Sequence, residues 1–150
     1  MSKFIKLSLI LNIFLFVGCS DNNSIIAIAE TEPVTTSGDA ADDPAIVINY
    51  SNPQQSIILG TDKRAGVYAY DLSGKKISYA ALGEINNIDV RQVDNKIYVA
   101  ASNRTAKSIE FWEFNQQEFF NNLPQSDNLF DIAARSMTIP TNIDVYGICA

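Results

Sequence analysis

The sequence predicts an all-β protein, and three observations carry that prediction. From residue 45 onward, short segments rich in Val, Ile, Tyr, Phe and Thr alternate with turns built on Asn, Gly, Ser and Pro. Only residues 116–123 have the composition of a helix. The third observation is an internal repeat. Ile58-Leu59-Gly60-Thr61-Asp62-Lys63 and Val99-Ala100-Ala101-Ser102-Asn103-Arg104 match in character at an offset of 41, and each leads into an aromatic strand (Gly66-Val67-Tyr68-Ala69-Tyr70 and Ser108-Ile109-Glu110-Phe111-Trp112). A literal match, Asn87-Ile88-Asp89-Val90 against Asn142-Ile143-Asp144-Val145, follows at an offset of 55. Together these point to blades of a β-propeller, with a β-sandwich as the competing architecture.

The elements follow in chain order. Lys3 and Lys6 form a basic start, and Leu7–Val17 is apolar apart from Ser8 and Asn12. That run is too short for a membrane span of roughly 20 residues and fits the apolar region of an export signal. It ends Phe16-Val17-Gly18-Cys19, followed by the polar Ser20-Asp21-Asn22-Asn23-Ser24. The pattern resembles a bacterial lipobox, which implies a signal peptide over residues 1–18, cleavage before Cys19 and lipid attachment to that cysteine. The expected place is the cell envelope, and Ser20 after the cysteine favours an outer membrane. Residues 19–38 then read as a flexible acidic tether, and 39–150 as the folded part.

Strands are expected at Ala45–Asn49, Ser56–Thr61, Gly66–Leu72, Lys75–Leu82, Ile88–Val93, Lys96–Ser102, Ser108–Phe114, Ser136–Ile139 and Asp144–Ala150. Asp71-Leu72-Ser73-Gly74-Lys75 is a hairpin signal. A loop over 115–135 accounts for the longer second spacing. Cys149, within the apolar Val145-Tyr146-Gly147-Ile148-Cys149, is expected to be a small buried residue.

Composition narrows the chemistry. The net charge is −6, or −8 once the two leader lysines are removed, which argues against nucleic acid as a partner. With no histidine and two cysteines, histidine-dependent triads and dyads, histidine-ligated metals and four-cysteine zinc sites are excluded. Carboxylates, amides, Lys, Arg and Tyr remain, an inventory suited to a hard metal such as calcium.

The candidate site follows from where charge falls in the repeat. Asp42-Asp43 precedes the first strand of one blade, held extended by Pro44, and Asn86-Asn87-Ile88-Asp89 opens the next. Gathered at one end of a propeller, such oxygens are hard-cation ligands. Lys63-Arg64 and Arg104 follow the second strand of each blade, where cations suit an anionic, phosphate-bearing substrate.

These residues resemble the β-propeller phytases. The resemblance is carried by Glu30-Thr31-Glu32-Pro33-Val34, Gly38-Asp39-Ala40-Ala41-Asp42-Asp43-Pro44-Ala45-Ile46, the segment from Gly60 to Lys75, Asn86-Asn87-Ile88-Asp89-Val90-Arg91, Ala100–Arg104 and Val145–Cys149. It implies a six-bladed propeller that hydrolyses phytate, myo-inositol hexakisphosphate, with calcium. By position it implies calcium binding at Glu30, Asp42, Asp43, Asn87 and Asp89, and phosphate contacts at Lys63, Arg64, Arg104 and Tyr146. The implied reaction is in-line attack on phosphorus by a calcium-activated water, with Lys and Arg stabilising the equatorial oxygens.

This chain departs from the family at Val47, where Trp is usual, and in a short loop between Arg91 and Lys96. Six blades of about 40–50 residues need over 200 residues. The expectation is therefore a partial propeller of two to three blades, inactive by itself. The alternative is a non-catalytic lipoprotein with a propeller-like binding module.

Overall fold

Eight strands form two four-stranded antiparallel sheets in the computed structural model, which describes residues 25–149. The first sheet is a simple meander of β1 (Ala41–Val47), β2 (Ile57–Asp62), β3 (Gly66–Tyr70) and β4 (Lys76–Ala81). The second repeats that order with β5 (Ile85–Val93), β6 (Lys96–Asn103), β7 (Ser108–Asn115) and β8 (Arg135–Pro140). Two such sheets in succession are consistent with propeller blades.

The core lies between the sheets. Val47, Leu59 and Val67 from the first meet Ile88, Val99 and Trp112 from the second, all buried. β7 shows the expected period of two: Ser108, Glu110, Trp112 and Phe114 are buried while the residues between them are partly exposed. β3 differs, being buried along its whole length. Its second face is covered by the segment leading into β1. Glu32 N–H donates to Gly74 O (2.7 Å), Thr35 pairs with the Tyr68 hydroxyl (2.8 Å), and the Thr36 hydroxyl bonds the buried Asp62 carboxylate (2.7 Å). Burial beneath this segment pushes the Tyr70 phenol up to about 12. Residues 32–36, expected within a flexible tether, are thus held on the first sheet, because Tyr68 and Asp62 need polar partners there.

Most expected strands form, with shifted ends. β1 begins at Ala41 rather than Ala45, and β5 at Ile85 rather than Ile88, because each opens with a bulge. β3 stops at Tyr70, since Asp71 Oδ1 gathers the Ser73 and Lys75 N–H groups into a turn (2.9 and 3.1 Å). The last expected strand, Asp144–Ala150, is a correction: residues 144–149 form no strand. Their backbone is held by side chains of the second sheet instead, and Cys149 is exposed rather than buried. The lipobox and Cys19 lie outside the described residues.

The insertion between β7 and β8 is a compact plug. Asn115 Oδ1 accepts from Gln117 and Glu118 N–H (3.0 and 3.1 Å), capping the helix α1 (Gln116–Asn122). Pro124, which has no N–H, ends the helix in a 3-10 turn. A second such turn, Leu129–Ile132, stacks Phe130 on Trp112 with ring centroids 3.7 Å apart. Asp127 O accepts from Tyr79 N–H (3.0 Å), so the plug bridges the second sheet to β4 of the first.

Candidate functional site

Asp42-Asp43 and Asn86-Asn87 occupy the same bulge in the first strand of each sheet, where register slips between Ala41 and Pro44 and between Ile85 and Ile88. Behind each bulge stands a hydroxyl from the second strand. Thr61 Oγ1 accepts from Asp43 N–H (2.8 Å) and donates to Asn86 O (3.1 Å). Ser102 Oγ accepts from Asn87 N–H (3.0 Å) and lies 3.4 Å from Tyr146 O. Carboxylate and amide continue the pattern. Asp43 Oδ2 accepts from the Asn87 side-chain amide and from Ile88 N–H (3.0 Å), and Asn87 Oδ1 accepts from Ile148 N–H (2.8 Å).

The third copy of the pattern is therefore Tyr146-Gly147-Ile148. It is not Asn142–Val145, where the literal sequence match fell; Asn142 is a left-handed turn residue at φ +59°. Thr61 and Ser102 belong to the site although their residue types alone do not mark them; the signal for both is their equivalent position in the matched hexapeptides.

Lys63 and Arg104 are equivalent in space. Lys63 N–H donates to Ala40 O, and Arg104 N–H to Glu84 O, both at 2.9 Å. Their side chains turn into one open cleft of about 690 Å³, shared with Arg64 and Tyr146. Arg104 donates to Lys63 O (3.1 Å) and to the Tyr146 hydroxyl (3.3 Å), and its guanidinium carbon lies 5.1 Å from the Tyr146 ring centroid. Lys63 Nζ lies 2.8 Å from Asp39 and 3.7 Å from Asp42. The hydrogen bond with Asp39 raises the Lys63 ammonium above its usual range, and the same bond with the Lys63 charge holds the Asp39 carboxyl low. Glu84 sits 3.9 Å from Arg104. The cleft can thus take an anion with three cationic groups, in competition with acids of its own.

The residues implicated in calcium binding do not all converge. Asp43 and Asn87 meet at the bulges, with Asp42 beside them facing Lys63, whereas Asp89 lies beyond them in β5, its Oδ1 accepting from Val90 N–H (2.7 Å). Glu30 stands at the far end of the first sheet, against the β3–β4 turn, where a Cβ on Gly74 would come within 1.9 Å of Glu30 O. The donors are hard oxygens of the kind calcium takes, but their number falls short. Among the described residues, no group of three or more acidic or thiol side chains is arranged to hold a metal.

The fold and site define a mostly-β protein of repeated four-stranded sheets, with a cleft at the sheet ends lined by Lys63, Arg64 and Arg104. More particularly, the chain belongs to the phytase family, whose model matches residues 8–149. Over 67 residues it is 42% identical to the 3-phytase of Bacillus subtilis (strain 168), a match covering 45% of this chain and 18% of that protein.

Proposed function

We propose that this chain contributes to calcium-dependent hydrolysis of phosphate monoesters, phytate foremost. The observation that carries the proposal is the convergence of Lys63 and Arg104, at equivalent places of the repeat, on one cleft that Arg64 also lines. In the proposed reaction, Arg104 grips two phosphate oxygens, held in orientation by the Tyr146 ring and the Lys63 carbonyl. Lys63 exchanges Asp39 for a third oxygen, and Arg64 adds charge at the rim. Water attacks phosphorus in line, the ester P–O bond breaks, and the leaving inositol oxygen takes up the proton that the water sheds. Calcium enters the proposal through family membership.

Incubation of calcium phytate with a full-length version of the protein, carrying all six expected blades, tests this reading. Phosphate release abolished by a chelator supports it; no release at any calcium concentration overturns it. A second reading, a module that binds phosphate esters without turnover, is favoured by the commitment of Asp43 Oδ2 to Asn87 and Ile88. It predicts ligand-induced stabilisation with no release.

The export pattern supports a further part of the proposal, a lipoprotein anchored through Cys19 in the cell envelope, its substrate outside the cytoplasm. Incorporation of labelled palmitate, lost in Cys19→Ala, is the expected result; no incorporation refutes the anchor.

A further inference from the structure

At the ends of the sheets opposite the cationic cleft lies a second depression, of about 520 Å³. No charged side chain lines it; the walls are carboxamides, with Ser51 and one aromatic ring, Phe120. These amides do two different things. One set fixes the walls. The buried Asn49 accepts from Ser51 and Asn52 N–H (3.1 and 2.9 Å), and Asn115 caps α1. Beneath the cleft, Gln92 accepts from Ile48 N–H and donates to Ile48 O (both 2.8 Å), and donates to Gln116 Oε1 (3.2 Å), tying the end of β1 to the helix. The other set is unspent. The side chains of Asn52, Gln55, Gln117 and Asn121 line the cleft and carry no hydrogen bond among the described residues.

We infer that this cleft binds a neutral polyhydroxylated ligand, a hexose or short oligosaccharide. Each hydroxyl of a sugar both donates and accepts, and a carboxamide offers a donor and an acceptor in one plane, so a single Asn or Gln satisfies two neighbouring hydroxyls. Phe120 gives the C–H face of a sugar ring an apolar surface. The uncharged lining sets the site apart from the cleft with Lys63 and Arg104, and its volume lies within the roughly 300–1,000 Å³ of small-ligand pockets. The pre-formed walls spare the ligand the cost of ordering them.

The test is a titration of the full, isotopically labelled chain with glucose, maltose and cellobiose, followed by NMR of the side-chain amides. Saturable shifts at Asn52, Gln55, Gln117 and Asn121 are expected with at least one sugar. Affinity is expected to fall about tenfold or more in the exposed double variant Gln117→Ala/Asn121→Ala, a loss of roughly 1.4 kcal/mol. Inorganic phosphate is expected to leave these four resonances in place. Absence of saturable shifts with all three sugars at tens of millimolar overturns the inference. So does unchanged affinity in the double variant, its folding verified by circular dichroism.

Discussion

Asn87 stands 44 residues after Asp43, at the same place in the next sheet, and its side-chain amide donates to Asp43 Oδ2. The Oδ1 of the same side chain meanwhile accepts the Ile148 N–H. One side chain therefore joins three successive units. Asn87→Ala removes both bonds and is expected to destabilise the fold by about 1–3 kcal/mol, read as a lowered midpoint in denaturant. Asn87→Asp is expected to be worse at neutral pH, where two carboxylates face one another, and to recover as acid protonates one of them.

Asp39 already holds Lys63, the ammonium proposed above to bind a phosphate oxygen. Asp39→Asn is expected to tighten phosphate-ester binding several-fold, seen as a lower KM or Kd. The linkage has a sign. Asp39 has a lowered folded pKa, so its ion pair is complete above the ordinary carboxylate range and is lost as pH falls through that lowered value. The advantage of the variant is therefore expected at neutral pH and to vanish in strong acid. A pH series of KM for both proteins checks it.

Arg104 is held from two sides before any ligand arrives. Arg104→Ala is expected to raise KM about tenfold, roughly 1.4 kcal/mol of lost phosphate binding. Tyr146→Phe keeps the ring and is expected to change little. Tyr146→Ala loses the cation–π contact, about 0.5–1 kcal/mol, with a several-fold rise in KM.

Two glycines with positive φ are expected to respond differently. A Cβ on Gly66 (φ +145°) would come within 1.9 Å of Ala80 O in β4, inside the sheet. Gly66→Ala is expected to cost on the order of 3 kcal/mol. At Gly74 (φ +85°) the obstacle is Glu30 O, at the same distance but outside the sheet. Gly74→Ala is expected to release residues 30–32 while the sheets persist. Faster proteolysis there, with strand content unchanged by circular dichroism, is the measurement.

Phe130 fastens the plug through its stack on Trp112. Phe130→Ala is expected to cost about 3–5 kcal/mol and to expose the β4 edge that Asp127 covers. Chemical denaturation and Trp112 fluorescence report both effects.

Strand composition and the 41-residue repeat revealed the sheets because both depend on side chains. The bulges are backbone events, so β1 and β5 begin earlier than the pattern of apolar residues suggests. The same cause misplaced the third unit. Asn142–Val145 repeats four residues of the second unit, but equivalence resides in the Tyr146 carbonyl and the Ile148 N–H, groups every residue carries. The pairing of Lys63 with Arg104 was legible from equal spacing. Asp39 and Glu84 as their competitors were not, since the contacts depend on how the chain closes around the cleft. Thr35 and Thr36 have linker composition, and only the Tyr68 hydroxyl and the buried Asp62 carboxylate account for their docking.

The hydroxyls of Thr61 and Ser102 give the junctions between units a direction. Each sheet presents a socket, a hydroxyl with an Asp or Asn beside it, and receives the main chain of the segment that follows. Because Thr61 and Ser102 meet only the backbone of the incoming segment, their part of the joint is insensitive to its side chains, unlike the Asp43–Asn87 bond. Such a joint lets neighbouring sheets diverge in sequence, or gain a long insertion such as residues 116–132, without any change to these backbone contacts.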